Sequence, residues 1–119
     1  YTDCNGLNLI PGEVLQIDSK IGHEKRLPVI GWRKTNSLHS DQKNIFKKEL
    51  NEKDFYYLHC YQAIPEKKIN IIAYYERDGS RINAAVASGN IWGVQFHPEK
   101  SGNAGLNFLK AFSNLNINI

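Results

Sequence analysis

Hydrophobic and polar positions fall into two regimes along the chain. Up to residue 97 the apolar residues come in short runs or alternate with polar ones, as in strands. After residue 101 they recur every three or four positions, as on one face of a helix. GLNLIPG (6–12) is an apolar run closed by a Pro-Gly turn. EVLQID (13–18) sets Val14 and Gln16 against Leu15 and Ile17 and predicts a short strand. SKIGHEKR (19–26) reads as a polar loop, LPVIGW (27–32) as an apolar run ending at Gly31, and RKTNSLHS (33–40) as loop. DQKNIFKKEL (41–50) predicts a short helix, capped by Ser40 or Asp41 and with Ile45, Phe46 and Leu50 on its apolar edge. DFYYLHCYQAI (54–64) is one aromatic-rich, strand-like stretch. Residues 69–97 read as three consecutive strands turned at ERDGSR and at ASGN, a β-meander. In SGNAGLNFLKAFSN (101–114), Gly105, Phe108, Leu109 and Phe112 stand at i, i+3, i+4 and i+7 and predict a closing amphipathic helix. LNINI (115–119) reads as a frayed tail.

IIAYY, INAAVA and IWGVQF are apolar on both faces, which predicts a sheet covered on both sides. Two helical candidates are too few for that. The chain has 119 residues, no methionine, and opens at Tyr1 with TDCNG, which reads as mid-domain sequence. The expectation is a longer protein of which residues 1–119 form the C-terminal part of a single domain.

Apolar residues make up 41% and charged residues 23%, as in a globular protein in water. No apolar run approaches the ~18 residues of a membrane-crossing helix, and no secretory signal is visible, so a cytoplasmic setting is expected. The net charge of +3 is spread among mixed-sign stretches such as FKKELNEKD, not gathered on a basic face with interleaved aromatics. Nucleic acid is therefore not the expected partner. Cys4 and Cys60 give no disulfide framework, and the four histidines follow no zinc-ligand pattern, so no metal or cofactor is expected.

The candidate chemistry lies in GVQFHPEKSG (93–102). In an extended segment, residues i and i+2 point to the same face. Pro98 biases His97 toward extended backbone and fixes its own φ. The tripeptide thus holds an imidazole and the Glu99 carboxylate on one side. Glu99 can accept a hydrogen bond from one ring nitrogen, which leaves the other to act as general base and general acid. Taken alone, such a tripeptide is most often a surface turn with a salt-bridging glutamate; read functionally, it is the acid–base half of a triad, placed where a strand exits toward a helix, the usual position of ligand sites in α/β sheets.

The wider stretch GNIWGVQFHPEKSGNAGLNFLKAF (89–112) resembles the C-terminal signature of class I glutamine amidotransferases, and most of all the glutaminase subunits of imidazole glycerol phosphate synthases. GLNLIPGEV (6–14), LPVIGW (27–32) and YYLHCY (56–61) resemble further family segments in the family's order. The resemblance implies a three-layer, flavodoxin-like α/β fold with a mixed sheet, of which this chain gives the β-meander and the closing helix. It implies a glutaminase in which a cysteine thiolate attacks the side-chain amide of glutamine and ammonia passes to a (β/α)8-barrel synthase subunit in a heterodimer. His97 matches the catalytic histidine and Glu99 the glutamate that orients it. His59, Cys60 and Tyr61 match a stretch near bound glutamine, and Trp32 and Lys100 match positions at the synthase interface. The nucleophile elbow and the oxyanion loop belong to the family's N-terminal part, so neither Cys4 nor Cys60 is expected to be the nucleophile. VIGWRK departs from the family's His-Met-Gly-Trp-Asn: Val29 stands in the histidine's place and Arg33 in the asparagine's. This admits a paralogue that feeds a synthase modifying surface sugars. A non-catalytic module, with FYYLHCY and AYYE as a stacking surface, is the alternative of a different class.

Overall fold

The computed structural model describes residues 9–17, 27–39 and 44–115. Its seven strands are β1 (Gly12–Gln16), β2 (Val29–Ser37), β3 (Lys53–His59), β4 (Tyr61–Pro65), β5 (Ile71–Arg77), β6 (Ser80–Ser88) and β7 (Ile91–Val94). Two helices, α1 (Lys47–Leu50) and α2 (Gly102–Ser113), complete it, with single 3-10 turns at Lys68–Asn70 and Pro98–Lys100. The strands form a five-stranded sheet in the order β3-β2-β5-β6-β7 and a two-stranded ribbon, β1-β4, with every pairing antiparallel.

The meander is β5-β6-β7, as the pattern predicts. Its first turn carries positive φ at both Asp78 and Gly79, and its second at Gly89, the mirror-image turns that match strand twist. The strand expected at 13–18 forms as β1 over Gly12–Gln16, and the helix expected at 101–114 as α2 over Gly102–Ser113.

Three expectations are corrected. The polar residues 33–37 are strand, not loop, because β2 runs on to Ser37. There Thr35 is fully buried, its hydroxyl 2.6 Å from the Tyr57 hydroxyl, so a polar residue fills a core position through a partner 22 residues away. Residues 54–64 are two strands, not one: the chain bends at Cys60 and passes from the five-stranded sheet to the ribbon, where β4 pairs with β1. On α2, Leu109 and Phe112 are exposed, and the buried residues are Gly105 and Phe108. The expected caps Ser40 and Asp41, the loop at 19–26, Cys4 and the last four residues lie outside the described residues.

The core lies between one face of the large sheet and the two helices. Phe55, Tyr57, Ile72, Tyr75, Ile82 and Ala84 meet Phe46 and Leu50 of the α1 region, Phe96, and Phe108 of α2. Phe96 stacks on Phe55 with ring centroids 4.0 Å apart and meets Phe108 edge-on at 5.4 Å. Each such ring contributes about 1.5–3 kcal/mol by leaving water. Phe96 directly precedes His97, so this packing anchors the start of the HPE segment.

The opposite face of β2 and β3 carries Ile30 opposite Leu58 and Trp32 opposite Tyr56. Ile30, Trp32 and Leu58 are exposed, so among the described residues the sheet is covered on one side there. No helix of the described residues is long and apolar enough to cross a membrane.

Candidate active site

His97 follows β7 by three residues and opens the Pro98–Lys100 turn. Its backbone is extended, at φ −100° and ψ 97°, as a residue before proline favours. Its Nδ1 lies 3.0 Å from Glu99 Oε1. With Nδ1–H donating to that carboxylate, Nε2 keeps its lone pair. Both side chains are partly open to solvent, at 38% for His97 and 59% for Glu99, so a reactant can approach the ring.

Backbone contacts hold this pair on the outer edge of the large sheet. β3 is the edge strand. At Tyr56 the His97 segment docks onto that edge: His97 N–H donates to Tyr56 O at 2.9 Å, and Tyr56 N–H donates to Ser101 Oγ at 2.9 Å. Ser101 Oγ in turn donates to His97 O at 2.6 Å, and Lys100 N–H reaches the same carbonyl at 3.0 Å. Ser101 precedes α2 at the N-cap position but makes no side-chain cap to it, since its hydroxyl is spent on Tyr56 and His97. Neither Ser101 nor Tyr56 stands out in the sequence. A serine before a helix signals a cap, and only the fold reveals the other use.

The other expected site residues divide into two groups. Trp32 is exposed beside the start of α2, with its ring edge-on to Tyr56 at 6.0 Å, and Lys100 is exposed next to Glu99. These border the His97 segment. His59, Cys60 and Tyr61 lie at the bend between β3 and β4. His59 is buried. Its Nδ1 is 2.8 Å from Tyr61 O and therefore donates, while Nε2 accepts from the Tyr75 hydroxyl at 2.8 Å. Cys60 is a half-buried free thiol, and its carbonyl accepts from Ile17 N–H. Among the described residues no three His, Cys, Asp or Glu side chains gather as metal ligands.

Burial holds His59 below the usual histidine pKa. The Tyr61 carbonyl works the other way, and the positive charges of Arg33 and Arg77, with His97 when it is protonated, add to the lowering. The folded state therefore binds this proton less readily than the unfolded chain. The contribution to stability is full above the unfolded pKa, near 6.5, and is lost as pH falls below it, by at most ~1.4 kcal/mol per pH unit for one proton. Urea midpoints measured at pH 7.5 and 5.5 are expected to fall with pH more steeply in the wild type than in His59→Gln. Equal slopes would remove His59 from this account.

The His97–Glu99 pair is thus docked on the edge of β3 where the chain passes from a strand to a helix, with Nδ1 held by the carboxylate. The chain matches the model of the glutamine amidotransferase class-I family over residues 4–114, and it belongs to that family. Among curated proteins it is similar to imidazole glycerol phosphate synthase subunit HisH of Pelagibacter ubique (strain HTCC1062), 37% identical over 96% of this chain and 53% of the relative. It is likewise similar to the HisH subunit of Bacillus cereus (strain B4264), 37% identical over 92% of this chain and 49% of the relative. The HisH subunit of Bacillus thuringiensis subsp. konkukian (strain 97-27) is 38% identical over the same shares, 92% and 49%. The chain spans about half the length of the curated relatives it matches.

Proposed function

We propose that these residues carry the acid–base half of the glutaminase site of an imidazole glycerol phosphate synthase. The carrying observation is the His97–Glu99 pair, held at 3.0 Å with Nε2 open. In this reading His97 Nε2 takes the proton of a cysteine thiol, and the resulting thiolate attacks the amide carbon of glutamine. His97 protonates the leaving nitrogen, and ammonia departs from a glutamyl thioester. His97 then takes a proton from water, which attacks the thioester to release glutamate and the thiol. Glu99 steadies the imidazolium at each transfer.

The His59-Cys60-Tyr61 bend lines the glutamine site, and Trp32 and Lys100 face a (β/α)8-barrel synthase subunit that consumes the ammonia in a heterodimer. The setting is cytoplasmic, and the domain is completed by an N-terminal part with the nucleophile elbow and oxyanion loop. The nucleophile is placed on the elbow of the N-terminal part and not at Cys60, which lies at the bend between β3 and β4, four residues beyond the Tyr56 at which His97 docks.

The test is glutamate release from glutamine. The 119 residues alone are expected to give no turnover, while the whole subunit with its synthase hydrolyses glutamine and aminates the synthase's substrate. Turnover by the 119 residues that Cys60→Ala abolishes would overturn the placement of the nucleophile. Ammonia transfer to a sugar-modifying synthase instead would overturn the choice of acceptor.

A further inference from the structure

We infer that Ser101 is the positioning residue for His97: its hydroxyl closes a hydrogen-bonded ring that fixes the imidazole's backbone to the edge of β3. The inference rests on the glutaminase reading for its kinetic consequence and on geometry alone for its structural one. Three bonds make the ring. His97 N–H donates to Tyr56 O, Tyr56 N–H donates to Ser101 Oγ, and Ser101 Oγ–H donates to His97 O.

A strand added to an edge pairs with a residue there through its own N–H and its own C=O. Here His97 supplies the N–H, but its C=O does not reach Tyr56 N–H. The Ser101 hydroxyl stands between the two, accepting from one and donating to the other. A single hydroxyl can do both, and alanine or a carbonyl cannot.

The remaining freedoms of His97 are removed by other groups. Pro98 restricts ψ, and Glu99 Oε1 holds the ring at Nδ1. Ser101 is buried, and its own N–H and C=O are bonded to Pro98 O and to Gly105 N–H. The hydroxyl is therefore held in place by backbone and not by its own rotamer preference. Without it, His97 keeps only its link to Tyr56 O on the sheet side, and the ring can swing relative to the substrate. Misplacement by about 1 Å costs on the order of 100-fold in rate.

The experiment compares Ser101→Ala in the whole subunit, bound to its synthase, with wild type and with Ser113→Ala. The last deletes a hydroxyl bonded to its own helix, at Lys110 O, and is expected to leave activity unchanged. Ser101→Ala is expected to lower kcat for glutamine about 100-fold with little change in KM. It is also expected to speed hydrogen exchange at the Tyr56 amide and to shift the ¹⁵N resonances of the His97 ring. Should the alanine variant not fold, Ser101→Cys fills the site with a slightly larger atom, offers only a weak donor and acceptor, and is read in the same way. A kcat within two-fold of wild type, or a loss confined to KM, would overturn the inference. If wild type shows no glutaminase activity, the proposed function fails, and the inference stands or falls on the His97 ring resonances: unchanged shifts in the variant sink it.

Discussion

Replacing His97 with alanine is expected to lower kcat for glutamine hydrolysis by about 10³-fold or more, within the range that proton transfer by a placed side chain supplies. In the proposed reaction the ring serves two opposite steps, as acid toward the departing ammonia and as base toward water, so its loss is expected to slow both halves. The fold is expected to survive. The contacts that dock this segment on β3 use the backbone of His97 and the hydroxyl of Ser101, not the imidazole. Circular dichroism and the urea midpoint should therefore match wild type while glutamate release collapses. Glu99→Gln is the milder companion: it keeps an acceptor near Nδ1 but removes the charge that stabilises the imidazolium, and it is expected to cost about 10²-fold. Wild-type turnover in His97→Ala would remove this chain from the chemistry altogether.

Gly105→Ala is expected to destabilise the protein by about 3 kcal/mol, the upper part of the range for overpacking. Helix propensity alone predicts the reverse, a gain of up to ~1 kcal/mol, so the sign of the change decides the matter. A Cβ at residue 105 falls on Pro98 O, and it lies 3.0 Å from Ser101 Cβ. The first obstacle is backbone and cannot rotate aside. Either α2 backs away, drawing Phe108 out from between Phe46 and Phe96, or the Pro98 peptide moves and takes His97 with it. Both routes reach the His97 segment, so the proposed glutaminase activity is expected to fall as well. Chemical denaturation with a parallel assay separates the variant from a plain surface change, and a raised urea midpoint would show that the helix does not press on Pro98.

The sequence pattern makes local structure legible where a signal is local. Asp78-Gly79 and Gly89-Asn90 announce their turns, and between them the meander follows. His97-Pro98-Glu99 announces the pair because proline and the two-residue spacing act within three residues. Long-range causes are hidden. Arg33 to Ser37 look like loop until Tyr57 is seen to receive Thr35. Residues 54–64 look like one strand because nothing around Cys60 reveals that Tyr61 onward pairs with β1. Gly105 falls in the helical repeat as if it were one more small apolar position. Its purpose, letting α2 rest on Pro98, depends on a contact between two elements. The exposed Leu109 and Phe112 satisfy the same repeat without being buried by the described residues. Family resemblance supplies the roles of His97 and Glu99, whereas the support beneath them at Tyr56 and Ser101 comes from the fold.

The docking of His97 and Ser101 at Tyr56 has a consequence for how these molecules meet one another. Among the described residues β3 borders the sheet, and a bare strand border invites a strand from a second molecule. Both backbone groups of Tyr56 are already engaged, in the middle of that border. A foreign strand would have to displace the HPE segment before it could zip along β3. The peptide that holds His97 and Glu99 thus also occupies this stretch of the β3 border. Variants that loosen it are expected to aggregate as well as to slow.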